Sequence, residues 1–363
     1  MDNIECVRQK LAFWKKEIDL ALEKHWRETE YLDIHKNEWI ADSWEETKKI
    51  IMNGGKRLRP TLMLAIYELS GKKDVKKVIP IALALELLHN YFLVHDDIID
   101  EDSLRHGTAT LNEAYRQKAD NFGRDSREAT HFGNSIALLL GDRLTVEAIQ
   151  LVLESTIPTE KKIAVIRELI LLVNTTICGE ELDVMVYFPA SKDIKSTRQA
   201  VEEIIKNKTA YYSFVAPIKI GGILSDTREE NLSIMKKIGL KLGEIFQWQD
   251  DYLGIFADEK TLGKPAGSDL REKKPTLLLL KTIENLSFED KIKMRNLMGR
   301  PLSERELNKA RELIQKSGAQ KWMEDNINST LKKMIASINS SRLNNDAKNF
   351  FMGLVAILIN RKF

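Results

Sequence analysis

The segment from Val78 to Val94 constrains the fold most tightly, because nearly every position in it is apolar. A helix that is apolar on all sides is normally buried at the centre of a bundle. The segment then continues into His95-Asp96-Asp97-Ile98-Ile99-Asp100. Charges at the end of a core helix lose their hydration at high cost unless they are paired or bind a metal ion. The sequence therefore predicts a buried helix with an acidic cluster at its C-terminal end.

Helical periodicity dominates the rest of the chain. The 363 residues include only 18 glycines and 8 prolines, so long helices are favoured over a sandwich or barrel. We expect one all-α domain over residues 1–363, a single large bundle of about ten or more helices. The predicted helices are Ile4–Glu30, Thr61–Ser70, Val78–Asp100, Gly141–Glu154, Glu160–Glu181, Thr197–Ile223, Glu229–Gly254, Ser303–Gln315 and a last one from about Asn345. The predicted loops between helices are Lys118–Glu128 and Asp258–Lys274.

Charge and cysteine content exclude several classes of protein. The chain carries 56 basic and 54 acidic side chains, too balanced for a nucleic-acid-binding protein. Cys6 and Cys178 are far apart and lack metal-ligand spacing, which excludes disulfide and zinc frameworks. The longest apolar run, Val78–Leu85, is far shorter than the roughly twenty residues of a membrane span. The N-terminal residues mix acids and bases, unlike a secretory leader, so we expect a cytoplasmic protein.

The first acidic cluster has the spacing of a magnesium site. Asp96 and Asp100 lie one turn apart on one helical face, and His89 falls on the same stripe. Like charges at this spacing destabilise a helix unless a counter-ion is present. Hard carboxylate oxygens suit Mg²⁺, which binds one or two carboxylates together with substrate phosphates. The alternative is a solvated acidic helix end.

A second acidic cluster ends another apolar helix, at Gly243–Asp251. Gln247, Asp250 and Asp251 share one face of that helix. We expect the two acidic helix ends to face each other across the bundle and to hold several Mg²⁺ ions. Such an arrangement fits the ionisation of a diphosphate leaving group, with the metal acting as a Lewis acid.

A basic loop, Asn53–Pro60, separates two of the predicted helical regions. Pro60 suits the first position of a helix, whose N-terminus favours anions. Two glycines allow a ligand to approach the backbone closely, while Lys56, Arg57 and Arg59 supply positive charge. A solvated surface loop is the alternative for this stretch taken alone.

Together these motifs resemble those of the trans-isoprenyl diphosphate synthases, and farnesyl diphosphate synthases most of all. Gly54–Pro60 resembles the isopentenyl diphosphate loop of that family. Asp96–Asp100 and Phe246–Leu253 resemble its first and second aspartate-rich motifs, and Lys208–Phe214 its lysine-threonine helix. The terminal Asn360–Phe363 resembles its basic tail.

The resemblance implies an isoprenoid synthase fold, with helices around a central apolar cavity, and commonly a homodimer, for which the apolar helix from Val78 could supply the interface. It implies that an allylic diphosphate ionises, that the double bond of isopentenyl diphosphate attacks the carbocation, and that the released diphosphate takes the proton. About three Mg²⁺ ions would act in each active site.

The resemblance also implies a role for each matching residue. The Mg²⁺ ligands would be Asp96, Asp100 and Asp250, supported by Asp97 and Asp251, with Asp183 and Asp269 in the outer shell. The allylic diphosphate would be held by Arg105, Lys208, Gln247 and Lys264, with Phe246 in the same motif and the Thr209 backbone beside the cation. Isopentenyl diphosphate would be held by Gly55, Lys56, Arg59, His89 and Arg361.

Three positions depart from the family pattern. His106 stands where a second arginine usually contacts isopentenyl diphosphate, and it lacks the bidentate fork of arginine. We expect weaker isopentenyl diphosphate binding as a result, and a lower KM in a His106→Arg variant. Gly254 stands where a third aspartate is frequent, so we expect looser metal binding with activity retained. Glu180 replaces a common glutamine, without a predicted consequence.

Bulky side chains just before the first aspartate motif indicate a short product. Phe92 lies four residues before Asp96, about 6 Å along the same face, and Tyr91 is adjacent. This pattern resembles farnesyl diphosphate synthases, although both aromatics could be ordinary core residues. Geranyl and geranylgeranyl diphosphate are the alternative products. A class I terpene cyclase and a non-catalytic partner subunit are the alternative functions.

Overall fold

The computed structural model describes residues 3–29, 36–105, 107–186, 194–257 and 266–359. The first helices are α1 (Asn3–Thr29), α2 (Glu38–Met52), α3 (Leu58–Leu69), α4 (Ile79–Ile99), α5 (Leu111–Asn121), α6 (Ser126–Glu154) and α7 (Thr159–Val186). They are followed by α8 (Ile194–Ile204), a π-helical segment (Ile205–Val215), α9 (Ala216–Ser225), α10 (Glu229–Phe256) and α11 (Ser268–Arg271). The last are α12 (Leu277–Asn285), α13 (Phe288–Asn296), α14 (Glu304–Lys316), α15 (Ala319–Ser340) and α16 (Asn345–Ile359). The predicted all-α class is confirmed.

Two very short strands interrupt the helices after α4. β1 (Leu104–Arg105) pairs antiparallel with β2 (Thr108–Ala109), so that Leu104 faces Ala109 and Arg105 faces Thr108. This small two-stranded sheet fixes the backbone of Arg105 close to the end of α4.

The chain divides into two compact units. The α4 unit consists of Arg8–Glu168 and Ile220–Thr227. The α10 unit consists of Met1–Val7, Leu169–Lys219 and Arg228–Phe363. The expectation of one domain over residues 1–363 stays a prediction.

Helix α4 lies in the core of its unit. Every residue from Ile81 to Leu88 is buried, as predicted for a helix that is apolar on all sides. The stretch Val75–Ile99 is long and apolar enough to cross a membrane, but 61% of its most apolar window is buried within the protein, as in an ordinary core helix. This burial removes much of the helix from the surface, and the suggestion that it supplies a dimer interface stays a prediction.

Helix α6 packs closely on α4 and α5 because glycines lie at the crossings. A Cβ at Gly141 would lie 2.5 Å from the His95 ring, and one at Gly133 would lie 2.3 Å from the Asn112 carbonyl oxygen. The predicted loop Lys118–Glu128 is wrong at both ends, since α5 continues to Asn121 and α6 begins at Ser126. Asp125 caps α6 by accepting hydrogen bonds from the backbone N–H groups of the second and third helical residues.

The α10 unit is built around α10 and the π-helical segment. A Cβ at Gly243 of α10 would lie only 2.3 Å from the Ala210 Cα. Gly179 of α7 similarly faces the backbone of Lys208, where a Cβ would lie 2.7 Å from the Lys208 nitrogen. The two glycines therefore allow the π-helical segment, which carries Lys208 and Thr209, to lie close to both neighbouring helices.

Candidate active site

The glycine-rich loop between α2 and α3 adopts left-handed backbone conformations. Gly54 has a φ of +128° and Gly55 a φ of +98°, a region that favours glycine. Lys56 is exposed and Arg59 is partly buried at the start of α3. Arg57 is different, because its side chain turns inward and is 3% exposed. The sequence-based expectation that Arg57 offers its charge to a ligand is therefore wrong.

A cavity beside this loop brings together residues that are far apart in the sequence. Its lining includes four of the predicted site residues, namely Gly55, His89, Asp97 and Arg105. Lys56 and Arg59 do not line this cavity. The cavity joins the predicted isopentenyl diphosphate loop to the face of α4 that leads to the first aspartate motif.

Asp97 and Arg105 form a tight ion pair at the end of α4. The Arg105 Nε donates to Asp97 Oδ1 over 2.6 Å, and Arg105 Nη2 is 3.7 Å from Asp96 Oδ2. Burial raises the pKa of Asp97 to about 6, against the opposing effect of Arg105. Arg105 therefore neutralises part of the acidic motif in the described structure.

Asp96 lies in the last turn of α4, and Asp100 is the C-cap residue of the same helix, close to the predicted helix end. The Asp100 N–H donates to the Asp96 carbonyl over 2.8 Å, which closes the helix. The Asp96 side chain is 25% exposed, and Asp100 is exposed. Both carboxylates are thus accessible at a helix end whose preceding turns are buried.

The rings of Tyr91 and Phe92, the two aromatic residues before the motif, contact each other at 4.7 Å, but their other surroundings differ. The Tyr91 ring lies 4.6 Å from the His95 ring, which in turn packs at Gly141 of α6. Burial, with a smaller effect of Asp142, raises the pKa of Tyr91. Tyr91 is therefore oriented towards α6. Phe92 lies one turn before Asp96 and is partly buried.

In the α10 unit, Lys208 lies in a cluster of alternating charges. Its Nζ is 2.9 Å from Asp183 Oδ2 and 2.7 Å from Glu180 Oε2. Lys274 Nζ also contacts Asp183, over 3.2 Å. Burial alone would raise the pKa of Asp183, but Lys274 and Lys208 outweigh it and hold this pKa below its usual value. Asp183 therefore serves as the shared counter-ion of two lysines.

A chain of hydrogen bonds connects the π-helical segment to the second aspartate motif. Thr209 Oγ1 donates to Gln247 Oε1 over 2.8 Å, and Gln247 Nε2 donates to Asp251 Oδ1 over 2.8 Å. Lys208, Thr209, Gln247 and Asp251 line one cavity together with Lys274. The four predicted site residues of this group are thus brought together.

The remaining residues of the second motif lie on the same helix. Asp250 is partly buried, and the Phe246 ring packs edge-on against Phe214 at 5.9 Å. At Gly254 a Cβ would lie 3.5 Å from Asp269 Oδ2, which is ordinary contact. A side chain at position 254 would therefore point towards another carboxylate.

The donor set at both acidic helix ends suits Mg²⁺ held together with a phosphorylated ligand. In the described parts of the chain, no three His, Cys, Asp or Glu side chains are arranged to hold a metal by themselves. Mg²⁺ does not need such a cage, since it keeps several waters and takes phosphate oxygens. Burial, followed by the charge of Asp269, raises the pKa of Asp251 well above its usual range. Excess negative charge of this kind is stabilised by a divalent cation.

Three predicted site residues, His106, Lys264 and Arg361, lie outside the described residues. Two charged residues that line the cavities, Glu86 and Lys274, were not predicted. Glu86 is buried and lines the first cavity, and its position as the sole charge within Val78–Val94 was a signal for a buried partner. Lys274 lies in a polar stretch, where nothing in the sequence distinguishes it from neighbouring lysines.

Comparison with known proteins gives consistent matches. The family described as polyprenyl synthetase matches residues 42–314. A short chain isoprenyl diphosphate synthase of Methanocaldococcus jannaschii is 31% identical over 76% of each chain. A geranylgeranyl diphosphate synthase of Saccharolobus solfataricus is 33% identical over 74% of each chain. The crystal structure of geranylgeranyl pyrophosphate synthetase from Pyrococcus horikoshii superimposes with a TM-score of 0.80 at 28% identity, covering 99% of both chains.

Proposed function

Because this chain belongs to the polyprenyl synthetase family, we propose that it condenses isopentenyl diphosphate with dimethylallyl or geranyl diphosphate and forms farnesyl diphosphate. The predicted resemblance to trans-isoprenyl diphosphate synthases and the predicted isoprenoid synthase fold are confirmed. The chain is a prenyltransferase. The single observation that best supports the proposed reaction is the placement of Lys208, Thr209, Gln247 and Asp251 around one cavity at the second aspartate motif.

Residues of the α4 unit would bind the homoallylic substrate. Gly55 and His89 line one cavity beside the exposed Lys56, and Arg59 begins α3. Backbone N–H groups of a glycine loop and the N-terminus of a helix favour a diphosphate. We assign this end of the α4 unit to isopentenyl diphosphate, with Arg361 of the C-terminal tail and His106 as further proposed contacts.

Residues of the α10 unit, together with Arg105, would hold the allylic diphosphate. Lys208 is already oriented by Glu180 and Asp183, so little side-chain freedom is lost when it binds an anion. The Gln247 amide is fixed between Thr209 and Asp251. A preorganised set of donors is most effective where charge develops on the leaving diphosphate. Lys264 is proposed as a further contact.

Mg²⁺ is the proposed cofactor, with about three ions in each active site. Asp96 and Asp100 at the end of α4, and Asp250 in α10, would ligate it, while Asp97 and Asp251 would support these ligands. When bound, the metal would act as a Lewis acid on the leaving diphosphate. The released diphosphate, rather than a side chain, would take the proton lost after attack.

The product length is proposed from the residues before Asp96. Phe92 lies about 6 Å before Asp96 on the same side of α4 and would close the space available to a growing chain. Tyr91 contacts the His95 ring, which supports Phe92 over Tyr91 as the main floor residue. Geranylgeranyl diphosphate is the second candidate, because two of the similar proteins described above are named geranylgeranyl diphosphate synthases.

We also propose that the protein is a homodimer, through α6 rather than α4. Phe132, Leu139, Val146 and Leu153 repeat every seven residues along α6 and are 44% to 64% exposed. An exposed apolar stripe of this regularity marks an interaction surface, and a two-fold axis would pair it with its own copy. A cytoplasmic location stays part of the proposal.

The test is an incubation of the purified protein with Mg²⁺, labelled isopentenyl diphosphate and each of three allylic primers in turn: dimethylallyl, geranyl and farnesyl diphosphate. We expect label in a C15 product from the first two. A dominant C20 product would support the second candidate. A hydrocarbon formed without isopentenyl diphosphate would indicate a terpene cyclase, and the absence of turnover with every primer would indicate a non-catalytic subunit.

A further inference from the structure

Arg57 lies in the middle of the basic loop, yet its guanidinium group is buried against three other elements of the α4 unit. Its Nε donates to Asp19 of α1 over 2.8 Å, and its Nη1 donates to Glu86 of α4 over 2.7 Å. Its Nη2 donates to the Ile51 carbonyl in α2 over 2.7 Å. One side chain thus ties the loop to three helices.

The backbone at Arg57 is left-handed, with a φ of +48° and a ψ of 36°. This conformation is unfavourable for residues other than glycine and persists only where surrounding contacts hold it. The Arg57 carbonyl accepts a hydrogen bond from the Thr61 N–H and so begins α3. A Cβ at Gly55 would lie 3.2 Å from Arg57 Nη1, so the glycine leaves room for the guanidinium group to fold back beneath the loop.

The ion pair between Arg57 and Glu86 lies at the cavity rather than away from it. Arg57 and Glu86 line it together with Gly55 and His89. Glu86 is 1% exposed, and its Oε2 has no hydrogen-bond partner in the described part of the chain. Replacing a buried ion pair with apolar residues is often neutral or stabilising. The ion pair between Arg57 and Glu86, in which one carboxylate oxygen accepts no hydrogen bond, therefore indicates a role in this cavity beyond stability.

We infer that Arg57 is a positioning residue, which fixes the loop so that Lys56 and Arg59 face isopentenyl diphosphate while Arg57 itself does not contact the ligand. The left-handed turn sends the buried guanidinium group in one direction and leaves the preceding Lys56 exposed. This inference rests on the proposed function, because isopentenyl diphosphate is the ligand proposed for the loop.

The test compares Arg57→Lys and Glu86→Gln with the wild-type protein. Arg57→Lys keeps the charge but loses the planar fork, so we expect the KM for isopentenyl diphosphate to rise roughly tenfold. The KM for the allylic substrate and kcat are expected to stay within about twofold of wild type. Glu86→Gln should also raise the KM for isopentenyl diphosphate, because it removes the negative charge that holds Arg57. Arg143→Lys is the matched control, since Arg143 stacks on Trp44 in the same unit and does not line this cavity.

Two further measurements separate positioning from other roles. Calorimetry with inorganic diphosphate should show weaker binding by Arg57→Lys, in proportion to the change in KM. The salt dependence of this binding should be unchanged in Arg57→Gln and reduced in Lys56→Gln, because both variants remove a charge and only a direct contact contributes to the salt dependence.

Unchanged diphosphate affinity with a lower Tm in Arg57→Lys would overturn the inference, and so would an equal rise in both KM values. A reduced salt dependence in Arg57→Gln would overturn it as well, since it would make Arg57 a direct contact. If the wild-type protein bound diphosphate but did not consume isopentenyl diphosphate, the proposed function would fail, and the calorimetric comparison would still decide the role of Arg57.

Discussion

Asp183 shows how a single carboxylate can hold two lysines that line the same cavity. It lies between Lys208 and Lys274, and its side chain is 8% exposed. Without this charge, both lysines would repel each other in a partly buried site. The ion pairs thus hold the cations in place before any diphosphate binds.

We predict that Asp183→Asn lowers the free energy of unfolding by about 2–3 kcal/mol at pH 7. The folded pKa of Asp183 lies below its usual value. Its stabilising effect is therefore complete above the unfolded pKa of about 3.9 and is lost as the pH falls through the folded pKa. Urea denaturation should show a difference between wild type and variant at pH 7 that shrinks below pH ~4.

Asp290 provides the matched control for this experiment. It also lies between two lysines, Lys293 and Lys316, over 2.8 and 2.6 Å, but away from the candidate site residues of its unit. Asp290→Asn should leave the allylic KM unchanged, whereas Asp183→Asn should raise it. Equal stability of the Asp183→Asn and wild-type proteins at pH 7 would contradict this account of Asp183.

A second residue-scale prediction concerns product length. Truncation of Phe92 to alanine should lengthen the main product by at least one isoprene unit, because the removed ring opens space one turn before Asp96. Chromatography of the dephosphorylated products measures this directly. Tyr91→Ala is the control, since Tyr91 packs against His95, and its product should match that of wild type. A longer product from Tyr91→Ala but not from Phe92→Ala would show that Tyr91, rather than Phe92, limits the product length.

At this scale the sequence identifies acidic and glycine residues better than basic ones. The positions of Asp96 and Asp100 follow from helical spacing alone. The inward turn of Arg57 does not, because its partners Asp19 and Glu86 lie 38 and 29 residues away. Lys274 is missed for the same reason, since its role depends on a contact with Asp183.

At the scale of elements, the close approach of α10 to the π-helical segment is the most sensitive contact. Gly243→Ala should lower the free energy of unfolding by about 1–3 kcal/mol, because the added methyl group would overlap the Ala210 backbone. It should also reduce activity, since Lys208 and Thr209 lie on that segment. Thermal unfolding and steady-state kinetics measure the two effects.

The matched control lies on the same helix. Gly254→Ala adds the same methyl group, but the nearest atom outside its own helix, Asp269 Oδ2, would be 3.5 Å away. Removing a helical glycine there should stabilise the protein by up to about 1 kcal/mol. A Gly243→Ala protein as stable as Gly254→Ala would show that α10 and the π-helical segment do not need to lie so close together.

Helix boundaries follow from the sequence where one face is clearly polar. The prediction Glu229–Gly254 agrees with α10 to within two residues, and Val78–Asp100 agrees closely with α4. The first half of α6 is missed because its first turns are mostly polar and continue the predicted loop Lys118–Glu128 without a clear apolar face. The π-helical segment is missed because eleven residues are too few to distinguish its period from that of an α-helix.

For the whole molecule, the scarcity of glycine and proline favours an all-α protein, whereas the oligomeric state depends on which side chains lie at the surface.

Val146→Glu should convert the proposed dimer to a monomer, because it places a charge in the middle of the exposed apolar stripe on α6. Light scattering at micromolar concentration measures the mass. Phe288→Glu is the control, because Phe288 is 80% exposed but lies outside that stripe. A monomeric wild-type protein would contradict the proposed assembly.

The proposal that Asp96 and Asp250 bind the catalytic Mg²⁺ is tested most directly by the Mg²⁺ dependence of label incorporation. The proteins to compare are the wild type, Asp96→Asn, Asp250→Asn and Asp120→Asn. If both aspartates ligate Mg²⁺ as proposed, each of the first two variants should lose at least about a thousandfold in rate at saturating Mg²⁺, because each lacks a proposed ligand of the ion. Asp120→Asn, at an exposed ion pair with Arg116, should match wild type. Wild-type rates in either Asp96→Asn or Asp250→Asn, or full incorporation in the presence of a chelator, would contradict the account.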